Sequence, residues 1–230
     1  MRITLLPRLL LFCAAFVLIG VGEAGAADPE AGMWLQGSAK FALGDKWALS
    51  VTGMARSADD FERLATFQAR AGLEREITDR IAVSAGYAST WHDPQDAPAR
   101  QEDRLWQQVA WKPGELWGAS IGTHVRLEQR FRSPPGGEAA WRLRHEVSFR
   151  KPLKAGAKTY VYGAAETFFF LNETAWADDG FARARLSNGI GVPLSKNAAA
   201  EFGYLAQIDP QDGAELDVNH YLQVKLRFRR

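Results

Sequence analysis

The stretch Trp117–Arg132, with the sequence WGASIGTHVRLEQRFR, decides the fold of this chain. Taken at every second position, it gives an apolar set that runs from Trp117 to Phe131 and a second set that carries the charged residues. Successive side chains of a β-strand point to opposite faces, so the stretch predicts a strand with one apolar and one charged face. A membrane-crossing strand needs about 9–11 residues, whereas globular strands usually have about 5–6. The length and the aromatic residue at each end therefore predict a wall strand of a transmembrane β-barrel.

Composition limits the classes of function. The chain has 230 residues, and its 28 basic and 27 acidic side chains nearly cancel, which gives no bulk charge for binding nucleic acid. Aromatic residues are frequent, with 13 Phe and 8 Trp, yet the mean hydropathy is −0.24 because half of each predicted strand is polar. Beyond the N-terminal segment there is no apolar run of about 18 residues, the length that a transmembrane helix needs.

Residues 1–27 have the features of a secretory signal peptide: a basic start, the apolar run Leu9–Gly20 and the small residues Ala24–Ala26 before the cleavage point. The alternative is a membrane anchor, which the shortness of the apolar run disfavours. We expect residues 28–230 to form one domain, the barrel. The single cysteine, Cys13, lies in the apolar run, so the mature chain has no disulfide.

The same alternation recurs along the chain, and turn signals separate its segments. Short connections alternate with longer, more polar ones along the chain, as periplasmic turns alternate with external loops in outer-membrane barrels. The short ones lie near Gly44, Thr78, Pro113, Ala155 and Ser195, and the more polar ones near Asp59, Pro94, Pro135, Ala175 and Gln211. In particular, Lys112–Glu115 is predicted to form a tight turn before the strand that starts at Trp117.

The alternation gives eleven segments, whereas single-chain bacterial barrels have an even number of strands. The number becomes ten if the first segment, from Met33, lies outside the wall, and twelve if one strand is unrecognised. The sequence therefore predicts an all-β, antiparallel transmembrane barrel of about 10–12 strands, with ten or twelve preferred. The weakest wall strands are the Met33 segment and Glu102–Trp111.

Closure of the sheet places one face of every strand on lipid and the other in the lumen. An Arg or Lys on the lipid face at mid-membrane costs about 2–4 kcal/mol, so more than ten of them would exceed the ~5–15 kcal/mol stability of a typical domain. The charged faces must then point inward. The alternative is a soluble periplasmic β-sandwich or lipocalin-like binding protein with the apolar faces as its core. The predicted lumen-lining residues are Arg70, Arg104, His124, Arg126, Glu128, Arg130, Arg142, Arg144, Glu146, Glu166, Arg183, Arg185 and Glu201.

Several motifs resemble a known family, the Gram-negative outer-membrane proteins of the domain of unknown function 2490. They are Leu73-Glu74-Arg75 before a short turn, Arg104 with Gln107-Gln108, Arg126-Leu127-Glu128-Gln129-Arg130, Arg142-Leu143-Arg144, and Glu166 before Phe168-Phe169-Phe170. The resemblance covers nearly the whole mature chain and implies an outer-membrane β-barrel, with no settled activity and no catalytic residues. The chain departs from the usual aromatic C-terminus of such barrels, because Arg229 and Arg230 follow Phe228.

Two groups of residues suggest catalysis, but in each case the neighbouring residues favour a structural interpretation. Ser187-Asn188-Gly189 is similar to the triplet of outer-membrane phospholipase A, but Arg185 stands where that family has its histidine, and a guanidinium cannot accept the serine proton. His124 and Glu128 share a strand face but lie roughly 13 Å apart at ~3.3 Å per residue. Scattered histidines and a mature chain without cysteine predict no metal site. We predict no catalytic residue, no metal and no cofactor.

The arginines at 126, 130, 142 and 144 give the strongest functional signal. They predict either an interior filled by ion pairs or a narrow, porin-like passage or binding site for small anionic solutes. A lipid-acting outer-membrane hydrolase is the alternative function. The expected location is the outer membrane of a Gram-negative bacterium. The expected partners are outer-membrane lipid, the outer-membrane assembly machinery and a small anionic solute, with no nucleic acid, and the protein is expected to be a monomer.

Overall fold

A computed structural model describes residues 31–58, 61–94, 97–134, 136–211 and 216–230. The predicted signal peptide, residues 1–27, and the predicted loop centres at Asp59 and Pro135 lie outside these ranges. No helix in these ranges is long and apolar enough to cross a membrane. The described residues form eleven strands: β1 (Ala31–Ala42), β2 (Trp47–Ala58), β3 (Arg63–Glu76), β4 (Ile81–His92), β5 (Arg100–Leu116), β6 (Ala119–Ser133), β7 (Ala140–Pro152), β8 (Tyr160–Phe170), β9 (Gly180–Pro193), β10 (Ala198–Pro210) and β11 (Leu216–Arg229).

The eleven strands close into one barrel. Each strand pairs antiparallel with the next along the chain, and β1 pairs in parallel with β11, from Ala31 opposite His220 to Lys40 opposite Arg229. The all-β barrel is therefore confirmed, but the expectation of an even strand number is wrong, as is antiparallel pairing at the closing seam. Hairpin connections reverse the chain at every step. With an odd number of strands, the first and last consequently run in the same direction and can meet only in parallel.

The side chains alternate between the barrel interior and its outer surface, as period-two patterning requires. On β1, Trp34 is 6% exposed and the next residue, Leu35, is 43% exposed. The same alternation places large apolar side chains on the outer face of the described strands, where they are about half exposed. Examples are Phe67, Leu105, Val109, Ile190, Phe202 and Leu222. The outer surface is thus mostly apolar, interrupted by the Gln107–Gln129 pair and by Asp103, which accepts from Tyr87, and most of the polar and charged side chains of the strands turn inward.

The hairpin between β5 and β6 differs from the prediction. β5 continues to Leu116 through a bulge between Trp111 and Gly114, and the chain turns at Trp117 and Gly118, whose φ values are 51° and 73°. Positive φ at both central residues is the type I′ geometry that matches the twist of paired strands. The predicted turn at Lys112–Glu115 is therefore wrong, and Trp117 is an 86% exposed turn residue rather than the start of a strand.

The hairpin turns at residues 43–46, 77–80, 117–118, 153–159 and 194–197 share one end of the barrel, which we call the turn end. The chain also finishes at this end. The Arg230 backbone N–H donates to the Lys40 carbonyl at 2.9 Å, and the Ala42 N–H donates to the Arg230 carbonyl at 2.8 Å. We call the opposite end, where β2, β4, β6, β8 and β10 finish, the loop end, and β1 begins there because β1 and β11 run parallel.

Glycines on the inner face allow aromatic rings to lie flat against the wall. A Cβ added to Gly72 or Gly86 would collide with the Trp106 ring, and one added to Gly191 would collide with the Tyr160 ring. The rings therefore cover the inner surface of β3, β4 and β9 instead of projecting across the barrel. This arrangement leaves interior space for the long charged side chains of the remaining strands.

Candidate functional site

The barrel interior contains a cavity of about 350 Å³ with a large excess of positive charge on its walls. Among the described residues that line it, thirteen are Arg or Lys and two, Glu146 and Glu166, are acidic. Coulomb interactions inside a low-dielectric wall are screened less than in bulk water, and carboxylates behind the wall offset only part of this charge, so the cavity has a positive potential. The cationic lining residues are Arg56, Arg70, Arg100, Arg104, Arg126, Arg130, Arg132, Arg142, Arg144, Arg183, Arg185, Lys225 and Arg227.

Three fully buried carboxylates lie behind these cations and hold them in place. Glu102 on β5 is the first, with none of its surface exposed. It accepts two hydrogen bonds from Arg130, at 2.8 and 2.7 Å, one from Arg104 at 2.5 Å and one from Arg132 at 3.2 Å. Charge-assisted, bidentate bonds of this kind are the strongest side-chain hydrogen bonds. Glu102 thus joins β5 to β6 on the inside of the barrel.

Glu128 on β6 is the second of these carboxylates. Arg142 donates to its Oε2 from Nε at 2.9 Å and from Nη2 at 2.5 Å, and Arg144 Nη1 donates to its Oε1 at 2.7 Å. Arg144 also donates to Glu166 Oε1 on β8, at 3.0 and 2.5 Å. The chain of charges from Glu128 through Arg144 to Glu166 therefore connects β6, β7 and β8.

Glu201 on β10 is the third and lies towards the turn end. Its Oε1 accepts hydrogen bonds from the Tyr160 hydroxyl at 2.8 Å and from Arg150 at 3.0 Å, and it forms an ion pair with Arg227 at 3.1 Å. These donors come from β7, β8 and β11, so this carboxylate ties together strands on both sides of its own. A buried charge is costly, and all three contacts are to Oε1, which offsets only part of that cost because Oε2 is buried without a partner among the described residues.

Two arginines that face the cavity are held by amides instead of carboxylates. Arg126 donates through Nε and Nη2 to Gln108 Oε1, at 2.9 and 2.6 Å, and Arg185 donates in the same way to Gln207 Oε1, at 3.1 and 3.0 Å. Their closest carboxylate contacts are longer, 3.9 Å from Arg126 to Glu128 and 3.7 Å from Arg185 to Glu166. A glutamine fixes the orientation of a guanidinium without neutralising its charge.

Some buried donors of the interior lack a partner among the described residues. They include Arg100 Nε and Arg132 Nε, the ring nitrogen Nε2 of His124 is also buried without a partner, and Arg70 has neither a hydrogen bond nor an ion pair with any described side chain. A buried polar group left without a partner costs about 1–3 kcal/mol. Unpaired donors that are concentrated in one cavity therefore indicate a place where a ligand or water completes the hydrogen bonding.

The structure places eleven of the thirteen predicted lumen residues on the cavity wall. The other two, Glu128 and Glu201, lie behind it as anchors for arginines. The central role of Glu102 and five of the cavity cations were not among the predicted site residues. The five cations are Arg56, Arg100, Arg132, Lys225 and Arg227. Their inward positions followed from the period-two pattern, so the alternation would have found them.

The structure brings together one group with the ligand types of a metal site. His124, Glu146 and Glu166 face one another on β6, β7 and β8, with ligand atoms within 4.8 Å. However, Arg144 already donates to Glu166, and the surrounding guanidiniums repel a divalent cation. The expectation of no metal stays a prediction.

The residues considered for catalysis do not assemble as a catalytic group in the described part of the chain. Ser187 lines the cavity on the inner face of β9, two residues from Arg185. The nearest acidic partner of His124 is Glu146 on the adjacent strand, at 3.7 Å, and not Glu128 of its own strand. The histidine contacts with hydroxyls that the described residues do show come from Thr66, Thr123 and Tyr204.

Comparison with known proteins gives the family but no activity. The family model described as "Protein of unknown function (DUF2490)" matches residues 31–217, and this confirms the resemblance drawn from the motifs. An uncharacterized protein from Methylorubrum extorquens is 29% identical over 226 residues, which cover 96% of this chain and 97% of that protein. No solved structure matches the chain.

Proposed function

The chain belongs to the DUF2490 family, and we propose that it is an outer-membrane β-barrel whose interior binds or passes small anionic solutes without catalysing a reaction. The observation that carries the proposal is the lining of the cavity, in which thirteen cationic side chains face two carboxylates. A cleft lined by one sign of charge raises the local concentration of ions of the opposite sign. Small anions are the solutes that such an interior concentrates.

The outer surface supports the membrane location. Large apolar side chains from the described strands are about half exposed around the barrel, and most of the charged side chains of the strands face inward. In water this surface would exceed the few hundred Å² of contiguous apolar patch that soluble monomers expose. In a bilayer it matches the apolar band of an outer-membrane barrel. Closure of the sheet leaves no unpaired strand edge in lipid.

A purely structural interior is the second candidate, and the three buried carboxylates favour it. Glu102, Glu128 and Glu201 tie neighbouring strands together through short charge-assisted bonds. Such cross-links narrow the passage and stiffen the wall. The two functions differ in what they predict for a membrane containing the protein, because only a passage gives a conductance.

Lack of catalysis is part of the proposal. In the described interior, no serine hydroxyl contacts a histidine ring nitrogen, and Arg185 stands beside Ser187 where a proton acceptor would be needed. A hydrolase would lose its activity on a single Ser or His substitution. Phospholipid incubated with the folded protein should therefore show no hydrolysis, and hydrolysis abolished by Ser187→Ala would overturn this part of the proposal.

The channel part is tested in planar bilayers with the mature protein, residues 28–230, refolded in detergent. We expect a steady conductance and a reversal potential in a KCl gradient that shows anion preference. Arg126→Ala and Arg142→Ala should reduce that preference stepwise, whereas Lys40→Ala, which removes an inward charge outside the cavity lining, should reduce it less. Protein that is folded and inserted but shows no conductance would reject an open passage and leave the structural interior as the function.

The membrane part is tested by gel mobility and fractionation. A closed barrel in detergent should migrate differently before and after boiling, because the folded wall resists detergent unfolding. In cells, the protein should fractionate with the outer membrane. Equal mobility of boiled and unboiled samples, together with release into the soluble periplasmic fraction, would support the soluble binding protein instead.

A further inference from the structure

One stretch of the cavity wall brings together donors that the ion-pair network leaves unused. Arg70 projects from the middle of β3, where its neighbours across the sheet are the small residues Thr52 and Ala88. It has no hydrogen bond or ion pair with a described residue, and its Cζ lies 6.0 Å from the centroid of the Trp106 ring. Small neighbours leave its guanidinium free to reach into the cavity.

Arg126 approaches the same ring from β6. Its Cζ lies 4.7 Å from the Trp106 centroid, so two guanidiniums stand over one aromatic ring. The Trp106 ring lies against the wall at Gly72 and Gly86, so both cations must occupy its cavity side. Gln108 holds Nε and Nη2 of Arg126, while Nη1 is 3.9 Å from Glu128, beyond hydrogen-bond distance.

His124, in the tautomer with its proton on Nε2, supplies a third donor group two residues before Arg126, on the same face of β6. Its Nε2 is buried and has no hydrogen-bond partner in the described part of the chain, and the residue lines the same cavity. The other ring nitrogen, Nδ1, faces Glu146 at 3.7 Å. Nε2 is therefore the ring nitrogen that the contact with Glu146 does not use.

We propose that Arg70, Arg126 and His124 form a binding site for one small divalent oxyanion, such as inorganic phosphate or sulfate. Arg70 has no ion-pair partner among the described residues, and Arg126 has only the 3.9 Å contact with Glu128, so their positive charges match a divalent anion. Arg70 supplies donors from β3, whereas Arg126 and His124 supply them from β6, so the oxygens of a compact anion are reached from two sides. The inference rests on the proposed function in its premise that the interior attracts anions, and it adds the position and charge of the ligand.

The direct test is equilibrium binding of inorganic phosphate to the folded, detergent-solubilised protein, measured by dialysis with radiolabelled phosphate. We expect one saturable site, displaced by sulfate and not by equal concentrations of chloride or acetate. Arg70→Gln should weaken binding at least ten-fold. Lys40→Gln is the matched control, because it also removes one inward positive charge but lies outside the cavity lining, and it should change the affinity less than two-fold.

A heat-dependent change in gel mobility checks that each variant is folded. Arg70 holds no described partner, so Arg70→Gln leaves the ion-pair network intact; His124→Gln provides a second variant, with an expected loss of several-fold. Absence of saturable phosphate binding to the folded wild-type protein would overturn the proposal. So would equal weakening by Arg70→Gln and Lys40→Gln, or equal competition by monovalent anions.

Bilayer recordings separate this inference from the proposed function. Anion-selective conductance without saturable phosphate binding would reject the site and keep the passage. Saturable phosphate binding without conductance would keep the site and reject the passage. In a conducting barrel, phosphate bound at Arg70 should reduce chloride current in a concentration-dependent way, and Arg70→Gln should remove that block.

Discussion

Glu102 is the position at which a single change should most strongly destabilise the barrel. Its carboxylate has no exposed surface and binds the guanidiniums of Arg104, Arg130 and Arg132 at 2.5–3.2 Å. Glu102→Gln keeps the shape of the side chain and removes its charge, so three cations lose their common counter-charge. Removal of one partner from a buried ion pair costs about 3–5 kcal/mol, a large fraction of the ~5–15 kcal/mol stability of a typical domain.

The assay is equilibrium unfolding in urea, followed by tryptophan fluorescence in detergent micelles or small vesicles. With a slope of about 1–3 kcal/mol per molar urea, a loss of about 4 kcal/mol lowers the midpoint by roughly 1–4 M. The matched control is Glu74→Gln. Glu74 also faces inward, but its pair with Lys40 is partly solvent-exposed at the turn end, and such pairs contribute about 0–1 kcal/mol. Equal midpoint shifts for the two variants would refute the reasoning that burial makes Glu102 critical.

Further predictions concern packing, and the same unfolding measurement checks them. Gly86→Ala should cost about 1–3 kcal/mol, because the added methyl group meets the Trp106 ring and the backbone of the neighbouring strand, whereas Gly53→Ala, with open space around it, should be nearly neutral. Trp34→Ala should cost about 3–5 kcal/mol because the indole is buried next to the closing seam, and Trp117→Ala in the exposed turn should change stability by less than about 0.5 kcal/mol. A greater loss of stability for Gly53→Ala than for Gly86→Ala, or for Trp117→Ala than for Trp34→Ala, would contradict the packing described.

The faces of the strands could be predicted from the sequence because they depend on period-two alternation alone. Alternation in the stretch around Arg126 correctly predicts which side chains point inward and which point outward, as the cavity-lining residues show. The turn at Trp117 could not be predicted in this way. A Lys-Pro-Gly-Glu segment fits a tight turn as well as it fits a bulge, and only pairing with β6 selects the bulge.

The ion-pair partners could not be predicted, because they depend on the register between strands. Glu102 lies opposite Arg132, and it reaches Arg130 through a diagonal contact that no single strand reveals. The parallel seam between β1 and β11 has the same origin. It joins segments nearly two hundred residues apart, and the preference for even strand numbers argued against it.

The central claim is that the apolar faces of the strands contact lipid and the cationic faces surround an aqueous interior. Single-cysteine labelling in lipid vesicles tests it most directly, because Cys13, the only native cysteine, lies within the predicted signal peptide. Ser187→Cys places a thiol on the cavity wall, and Ile190→Cys places one on the outer face of the same strand. We predict that an anionic thiosulfonate modifies the Ser187→Cys variant at least ten-fold faster than a cationic one, and that neither reagent modifies the Ile190→Cys variant. Equal modification of both variants, with no preference for reagent charge, would contradict the claim.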